Sequence, residues 1–234
     1  MKAGATAVVL MGSHARGKAL PHSDIDLIAL GDGPEYRLDH RDGYLVAVAW
    51  TTPEQVERDL LDPGKAGWVV RGWRDAVSVI DPAGTAQRLQ QQARDWDWSE
   101  IGDDACNAYV AEELTGYAEE VQKLVSLLEI GNLTGAAVQR SILSLRIGQI
   151  LAVHLRLLYA SENDLWTLVG DELDDRWRAA QAAALGLRDE PFHQTCLAAL
   201  ELFRLSADIV VPLLDERQAA VVSAACSLQP QVER

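Results

Sequence analysis

The sequence predicts an α+β protein in two parts, a strand-rich part over residues 1–98 and an all-α helical bundle over residues 99–234. Three observations carry this. Up to about residue 98, short Val-containing apolar runs alternate with Pro and Gly turns, as half-buried strands do. Beyond it, long stretches of Ala, Leu, Glu and Arg have few breakers and read as helix. A chain of 234 residues is also long enough to divide into two modest domains, each with its own core.

In order, residues 5–11 form an apolar run that stops at Gly12, a buried strand entering a turn. A second strand is expected over 24–30, closed by Gly31 and Gly33. Strands over 36–39 and 44–50 join across Asp42-Gly43, a strong hairpin signal. Thr52 caps a helix that starts at Pro53 and runs to residue 61, with Glu54 and Glu57 near its positive end. Pro63-Gly64 ends it, and a short strand follows over 76–80. After the turn at Asp81-Pro82 and Gly84 comes a helix over 85–94, then a linker to residue 104. Helices are expected over 103–129, 133–160, 171–185 and 190–211, with a shorter one from Asp215, punctuated by Gly131-Asn132, Gly170 and Gly186.

The formal charge of −14 is unevenly spread: residues 1–98 carry 11 basic and 14 acidic side chains, and residues 99–234 carry 10 and 21. Such a surface repels a polyphosphate backbone and argues against nucleic acid as partner, while it attracts cationic small molecules and keeps the chain soluble. Cys106, Cys196 and Cys226 are odd in number and lack metal-ligand spacing, as free thiols in a reducing cytoplasm would be. No signal peptide and no membrane span are expected, because no apolar stretch is long enough.

The most informative stretch is Gly12, Ser13, His14, Ala15, Arg16, Gly17, followed by Ser23, Asp24, Ile25, Asp26, Leu27. A Gly-Ser turn after a strand points backbone amides at an anion, and a helix opening near Ser13 adds its free N–H groups. Asp24 and Asp26, two apart on a strand, point to one face, with Ile25 and Leu27 expected in the core. Two adjacent carboxylates repel unless a cation sits between them, and phosphoryl transfer supplies Mg2+ or Mn2+. Ser23 either bonds the phosphates or caps the strand end, and Arg16 completes the candidate nucleotide-binding set. Neither a P-loop nor a dinucleotide fingerprint is present. His14 and His22 read as neighbours of the phosphates or as surface residues rather than ligands.

The run GSHARG with SDIDL after KALPH resembles the signature of the DNA polymerase beta-type nucleotidyltransferase superfamily. With VAEELTGYAEE at 110–120 and SILSLRIGQILAVHLRLLYAS at 141–161, the layout is similar to the kanamycin (aminoglycoside) nucleotidyltransferases. This resemblance implies a mixed sheet flanked by helices, with Gly12 and Ser13 on the phosphates of a nucleoside triphosphate and Asp24 and Asp26 as catalytic metal ligands. It implies that the C-terminal helices cap a small-molecule acceptor, that two chains pair as a homodimer, and that an acceptor hydroxyl attacks the α-phosphate and releases pyrophosphate.

Two positions depart from the family pattern. A third carboxylate is usual on the neighbouring strand, where Ala47 stands, although Asp39 and Asp42 lie nearby. The glutamate base of the antibiotic enzymes falls on Gly116, with Glu112, Glu113, Glu119 and Glu120 three or four residues away. The sequence thus supports two readings: metal-dependent nucleotidyl transfer to a small-molecule hydroxyl, or a silent relative that binds nucleotide or another ligand as a sensor or interaction module. Among other residues, Trp50, Trp68 and Trp73 are core or cleft aromatics, Trp96 and Trp98 junction residues, Arg71 and Arg74 candidate triphosphate contacts, and Tyr117 and Tyr159 candidate acceptor contacts.

Overall fold

The computed structural model describes residues 4–230 and separates the chain into two compact units. The first holds the chain up to Ile101 together with Leu158–Glu162, and the second holds Gly102–Leu157 with the chain from Asn163 onward.

The first unit is built on a five-stranded sheet of order β3-β4-β2-β1-β5. Its strands are β1 (Ala5–Leu10), β2 (Ile25–Gly31), β3 (Tyr36–Arg41), β4 (Tyr44–Thr51) and β5 (Val77–Ile80). The sheet is mixed, because β2 and β4 run parallel while the other pairs are antiparallel. Asp42 and Gly43 both take positive φ between β3 and β4, as a two-residue hairpin turn that follows strand twist demands.

A single helical turn, α1 (Gly12–Ala15), follows β1; α2 (Pro53–Leu60), α3 (Pro63–Asp75) and α4 (Thr85–Asp95) come later. The Thr52 hydroxyl accepts from the Gln55 N–H to cap α2. Pro63 does not merely end α2: it opens α3 at the first helical position, with the Asp62 carboxylate accepting from the Gly64 N–H. The three longer helices pack one sheet face, where Ala7, Val9 and Leu30 meet Val56, Leu60, Val70, Trp73 and Leu89. In-register pairing of Val9 with Ile28 and Ala7 with Leu30 puts Ile28 and Leu30 on that face. The expectation for Ile25 and Leu27 is corrected here, because alternation sends them to the opposite face, where they are half-buried.

The second unit is helical throughout: α5 (Asp103–Gly116), α6 (Ala118–Glu129), α7 (Leu133–His154), α8 (Glu162–Glu172), α9 (Asp175–Ala184), α10 (Phe192–Val210) and α11 (Glu216–Ser227). The helix expected over 103–129 breaks at Tyr117, and the one expected over 133–160 stops at His154. Gly170 does not punctuate the chain but lies buried inside α8, where an added Cβ would come within 3.2 Å of the Arg178 side chain. That guanidinium in turn donates to the Gly170 carbonyl, so the glycine serves a close approach. The core includes Leu114, Leu124, Leu143, Ile147, Trp177 and Phe203, and the Trp177 indole N–H donates to Ser206.

Candidate active site

The Gly12 turn and the start of β2 are locked together. The Met11 N–H donates to the Asp26 carbonyl, and a Cβ built on Gly12 would lie 2.1 Å from the Asp26 Oδ2. Gly12 has φ +65°, so two independent constraints require glycine there. The first carries the chain from β1 into α1, and the second leaves space for a carboxylate directly over the turn. Ser13 lies half-buried in the same turn, and its carbonyl accepts from the Lys18 N–H.

Asp26 shares its face with Ile28 and Leu30 and thus continues the helix-covered core into the site. Burial pushes its carboxyl above the usual carboxylate range, and the charge of Asp24 pushes the same way, while His14 and Arg16 pull it down. Asp24 lies exposed one residue before β2. Two neighbouring carboxylates whose repulsion His14 and Arg16 offset only in part suit a divalent cation, which with phosphate oxygens and water would complete an oxygen-only ligand set. Among the described residues no group of three or more His, Cys, Asp and Glu side chains converges as a metal cluster.

The remaining residues of the motif surround this pair. The Arg16 guanidinium donates to the Ala160 carbonyl at 3.3 Å. His14 approaches the Ser23 carbonyl through Nε2 at 3.5 Å and meets Tyr44 edge-on, with ring centroids 6.3 Å apart. The Ser23 hydroxyl accepts from the Leu20 N–H, which closes the loop before β2. His22 is exposed.

Ala47 is the in-register partner of Asp26 on the parallel strand β4, so the two side chains point to the same face. It is 6% exposed, and its methyl group offers no ligand atom beside Asp26. Asp39 does not replace it, because Asp39 pairs with Val46 and lies on the other face, where it binds Arg37 at 2.8 Å. On β3 the Ala47-facing residue is Leu38. Asp42 is committed to the hairpin turn.

Other candidates have structural partners. Arg74 donates to the carbonyls of Ala93 and Trp96, and Arg71 pairs with Asp75. Trp73 is core, Trp50 packs over Gly33, Trp96 meets Trp98 edge-on, and Trp68 is half exposed. In the second unit Gly116 lines a cavity of about 400 Å³ with Glu119, Gln122, Val221 and Leu228. Glu112 faces Gln218 and Arg217, whereas Glu119 and Glu120 pair with Lys123. Glu113 and Glu120 lie near Tyr117, whose hydroxyl burial pushes up. The Ala160 carbonyl, acceptor of the Arg16 hydrogen bond, has no signal in the sequence, since every residue carries such a group. No helix among the described residues is long and apolar enough to cross a membrane.

Comparison with known proteins bears on this arrangement. Residues 2–92 match the family model described as a nucleotidyltransferase domain. None of the curated proteins searched matches the chain. Among solved structures, the chain is similar to a nucleotidyltransferase-like protein from Exiguobacterium sibiricum 255-15, at 13% identity and a TM-score of 0.54. The similarity covers 90% of this chain and 70% of that one, and at this identity it speaks for the fold alone.

Proposed function

We propose, from the match of residues 2–92 to the nucleotidyltransferase domain model, that this protein transfers a nucleoside monophosphate from a nucleoside triphosphate to a hydroxyl of a small molecule, in a reaction that depends on a divalent metal. The observation that carries this reading is the Asp26 carboxylate seated over Gly12, which joins a metal-binding group to an anion-binding turn. The Gly12–Ser13 amides hold phosphate oxygens, Arg16 adds a positive charge, and Asp24 with Asp26 would hold Mg2+ or Mn2+. That metal, when bound, screens the charge on the phosphates. In the transfer, the acceptor oxygen forms a bond to the α-phosphorus as the bond to the bridging oxygen breaks. Pyrophosphate then leaves and the hydroxyl proton passes to solvent. The helical unit supplies the acceptor-binding cap, and its acidic surface favours a cationic, aminoglycoside-like acceptor. Residence in the cytoplasm fits the free thiols of Cys106, Cys196 and Cys226. Pairing of two chains rests on the family resemblance.

Ala47 favours a second reading, in which the fold binds nucleotide without transferring it. One assay separates the two. The native protein is incubated with mixed labelled nucleoside triphosphates, Mg2+ or Mn2+ and a panel of aminoglycosides and other polyols, and pyrophosphate release is followed. Metal-dependent transfer that Asp24→Asn abolishes establishes the enzyme. Nucleotide binding with no transfer above background establishes the silent relative. If triphosphate binds no better with metal than without, the metal-assisted phosphate site falls under either reading.

A further inference from the structure

Five residues, Leu158–Glu162, belong to the first unit although the chain on both sides of them belongs to the second. The return starts with an unusual backbone turn. Arg156, two residues after the end of α7, takes φ +57°, a left-handed conformation that non-glycine side chains disfavour. Its guanidinium holds the turn by donating to the Val153 carbonyl, to Asp103 and to Asn107. The chain then anchors in the first unit. Leu158 packs on the apolar core beneath the sheet, and the Tyr159 N–H donates to the Gly67 carbonyl of α3 at 3.1 Å. The Tyr159 side chain is 8% exposed, and burial pushes its hydroxyl up to about 12. The next residue, Ala160, presents its carbonyl to Arg16.

We propose that Leu158–Glu162 is a positioning strap for the phosphate site: Tyr159 anchors it, and the Ala160 carbonyl holds the Arg16 guanidinium ready for an anion at the Gly12–Ser13 turn. Arg16 has five N–H donors on a long flexible stem, and one bond to a fixed carbonyl limits the rotamers it must lose when phosphate arrives. Donors remain for the phosphate, so the strap orients Arg16 without using it up. Strain at Arg156 is consistent with a turn kept in order to deliver the strap. In this account Tyr159 acts only through Arg16. The inference rests on the reading of the Gly12–Ser13 turn as a phosphate site.

The test is a double-mutant cycle on the full-length protein, read by calorimetric titration with ATP and GTP and with adenosine and guanosine as phosphate-free probes. Tyr159→Ala should weaken triphosphate binding about tenfold, the loss expected for one charge-assisted hydrogen bond, and leave nucleoside binding unchanged. Arg16→Gln should do the same, and Tyr159→Ala should add nothing further to it. Tyr159→Phe, which keeps the buried ring, should bind like the native protein. Additive losses in the double variant, or equal losses for nucleoside and triphosphate, overturn the proposal. If Tyr159→Ala does not fold, Tyr159→Leu takes its place.

A second measurement needs no nucleotide and separates failure of the strap from failure of the phosphate site. Phenylglyoxal modification, followed peptide by peptide, should be slower at Arg16 than at Arg37, whose side chain is 58% exposed. Loosening Tyr159 should accelerate modification at Arg16 alone. Equal rates at Arg16 in the native and loosened proteins refute the strap even where triphosphate binds. Native protein that shows the protection but binds triphosphate no better than nucleoside leaves Arg16 with no phosphate to meet, and the proposal falls with the phosphate site.

Discussion

Two small residues flank the Asp26 carboxylate, and they are small for different reasons. Gly12 has no choice: its φ is +65°, and a Cβ there would lie 2.1 Å from Asp26 Oδ2. Ala47 sits opposite Asp26 on a regular strand, where backbone conformation accepts any side chain, and it is alanine in a place where relatives are expected to carry a carboxylate. The first small residue is dictated by the shape of the turn after β1. The second is a side-chain choice that the regular backbone of β4 leaves open. The Gly12 corner is therefore fixed by geometry while the Ala47 corner offers no ligand atom, and substitutions that strike one corner and spare the other can test the phosphate and metal roles proposed for them.

The largest effect is expected from Gly12→Ala. A left-handed alanine costs about 1–2 kcal/mol, and the new methyl also displaces the Asp26 carboxylate. Triphosphate affinity should fall to background, and a denaturant melt should show destabilisation beyond the backbone cost. Native-like affinity would mean that the turn does not hold phosphate. Gly17→Ala is the control: Gly17 also has positive φ, but a Cβ there meets nothing within 4 Å. It should show the backbone cost alone.

Asp26→Asn comes next and carries a pH signature. Burial and Asp24 raise the Asp26 carboxyl above its ordinary value of 3.8. The folded protein thus binds this proton more readily than the unfolded chain does. Stability from the protonated group is fully present below 3.8 and is lost as pH rises through the raised value. At neutral pH and without metal, Asp26→Asn should therefore melt at the same temperature or higher than the native protein. The native protein alone should gain thermal stability from Mg2+ with triphosphate. The coupling between metal and nucleotide, typically about 1–3 kcal/mol for linked sites, should vanish in the variant. A variant that melts lower without metal, at neutral pH, would contradict the cost of burying the charged Asp26 carboxylate beside Asp24.

Much of this arrangement is legible in the sequence, and the parts that are not share a cause. The Val-rich runs, the Asp42-Gly43 hairpin and the Thr52 cap are local signals, and the structure follows them. The Gly-Ser turn and the Asp-x-Asp pair are local too. Helix α3 is masked in the sequence because Pro63, Gly64, Gly67 and Gly72 look like breakers. Tertiary contacts explain two of these glycines: Gly67 is buried with its carbonyl on Tyr159, and a Cβ on Gly72 would crowd Met11. Ile25 and Leu27 lie off the helix-covered face because core and candidate site do not occupy opposite faces. They occupy successive positions of one face, from Leu30 and Ile28 to Asp26. Nothing local marks the end of α7 either, since Arg156 is not a glycine and the run through it is apolar.

Ala47→Asp probes the depleted corner directly. The new carboxylate would be buried beside Asp26 on the same face, so without metal it should destabilise the fold, by about 1–3 kcal/mol for an unsatisfied buried polar group. Divalent metal with triphosphate should recover most of that loss, and transfer to acceptors should rise above the native level. Thermal melts with and without Mg2+, run beside the pyrophosphate assay, give both quantities. A folded variant that ignores metal in both measurements would show that Ala47 does not stand at a ligand position.

The smallest effect is expected at Gly116, which tests whether the comparison extends to the acceptor base. Gly116 closes α5 with ordinary φ, and a Cβ there meets nothing within 4 Å, so Gly116→Glu meets no backbone strain and no clash at its Cβ. Helix propensity favours glutamate over glycine by somewhat under 1 kcal/mol. Near the C-terminal end of α5 the negative charge opposes the helix dipole by a few tenths of a kcal/mol, in the other direction. Stability should therefore move by less than about 1 kcal/mol. The chemical outcome depends on the metal corner. Under the proposed function, a new base in the native protein works without a third carboxylate and should change transfer little. Placed together with Ala47→Asp, it should raise transfer more than either substitution alone, with a rate that increases as the new carboxylate ionises through about pH 4–5. Equal gains in both backgrounds would mean that the two corners act independently. A large gain from Gly116→Glu alone would show that the native metal corner, with Asp24 and Asp26 only, already suffices for chemistry.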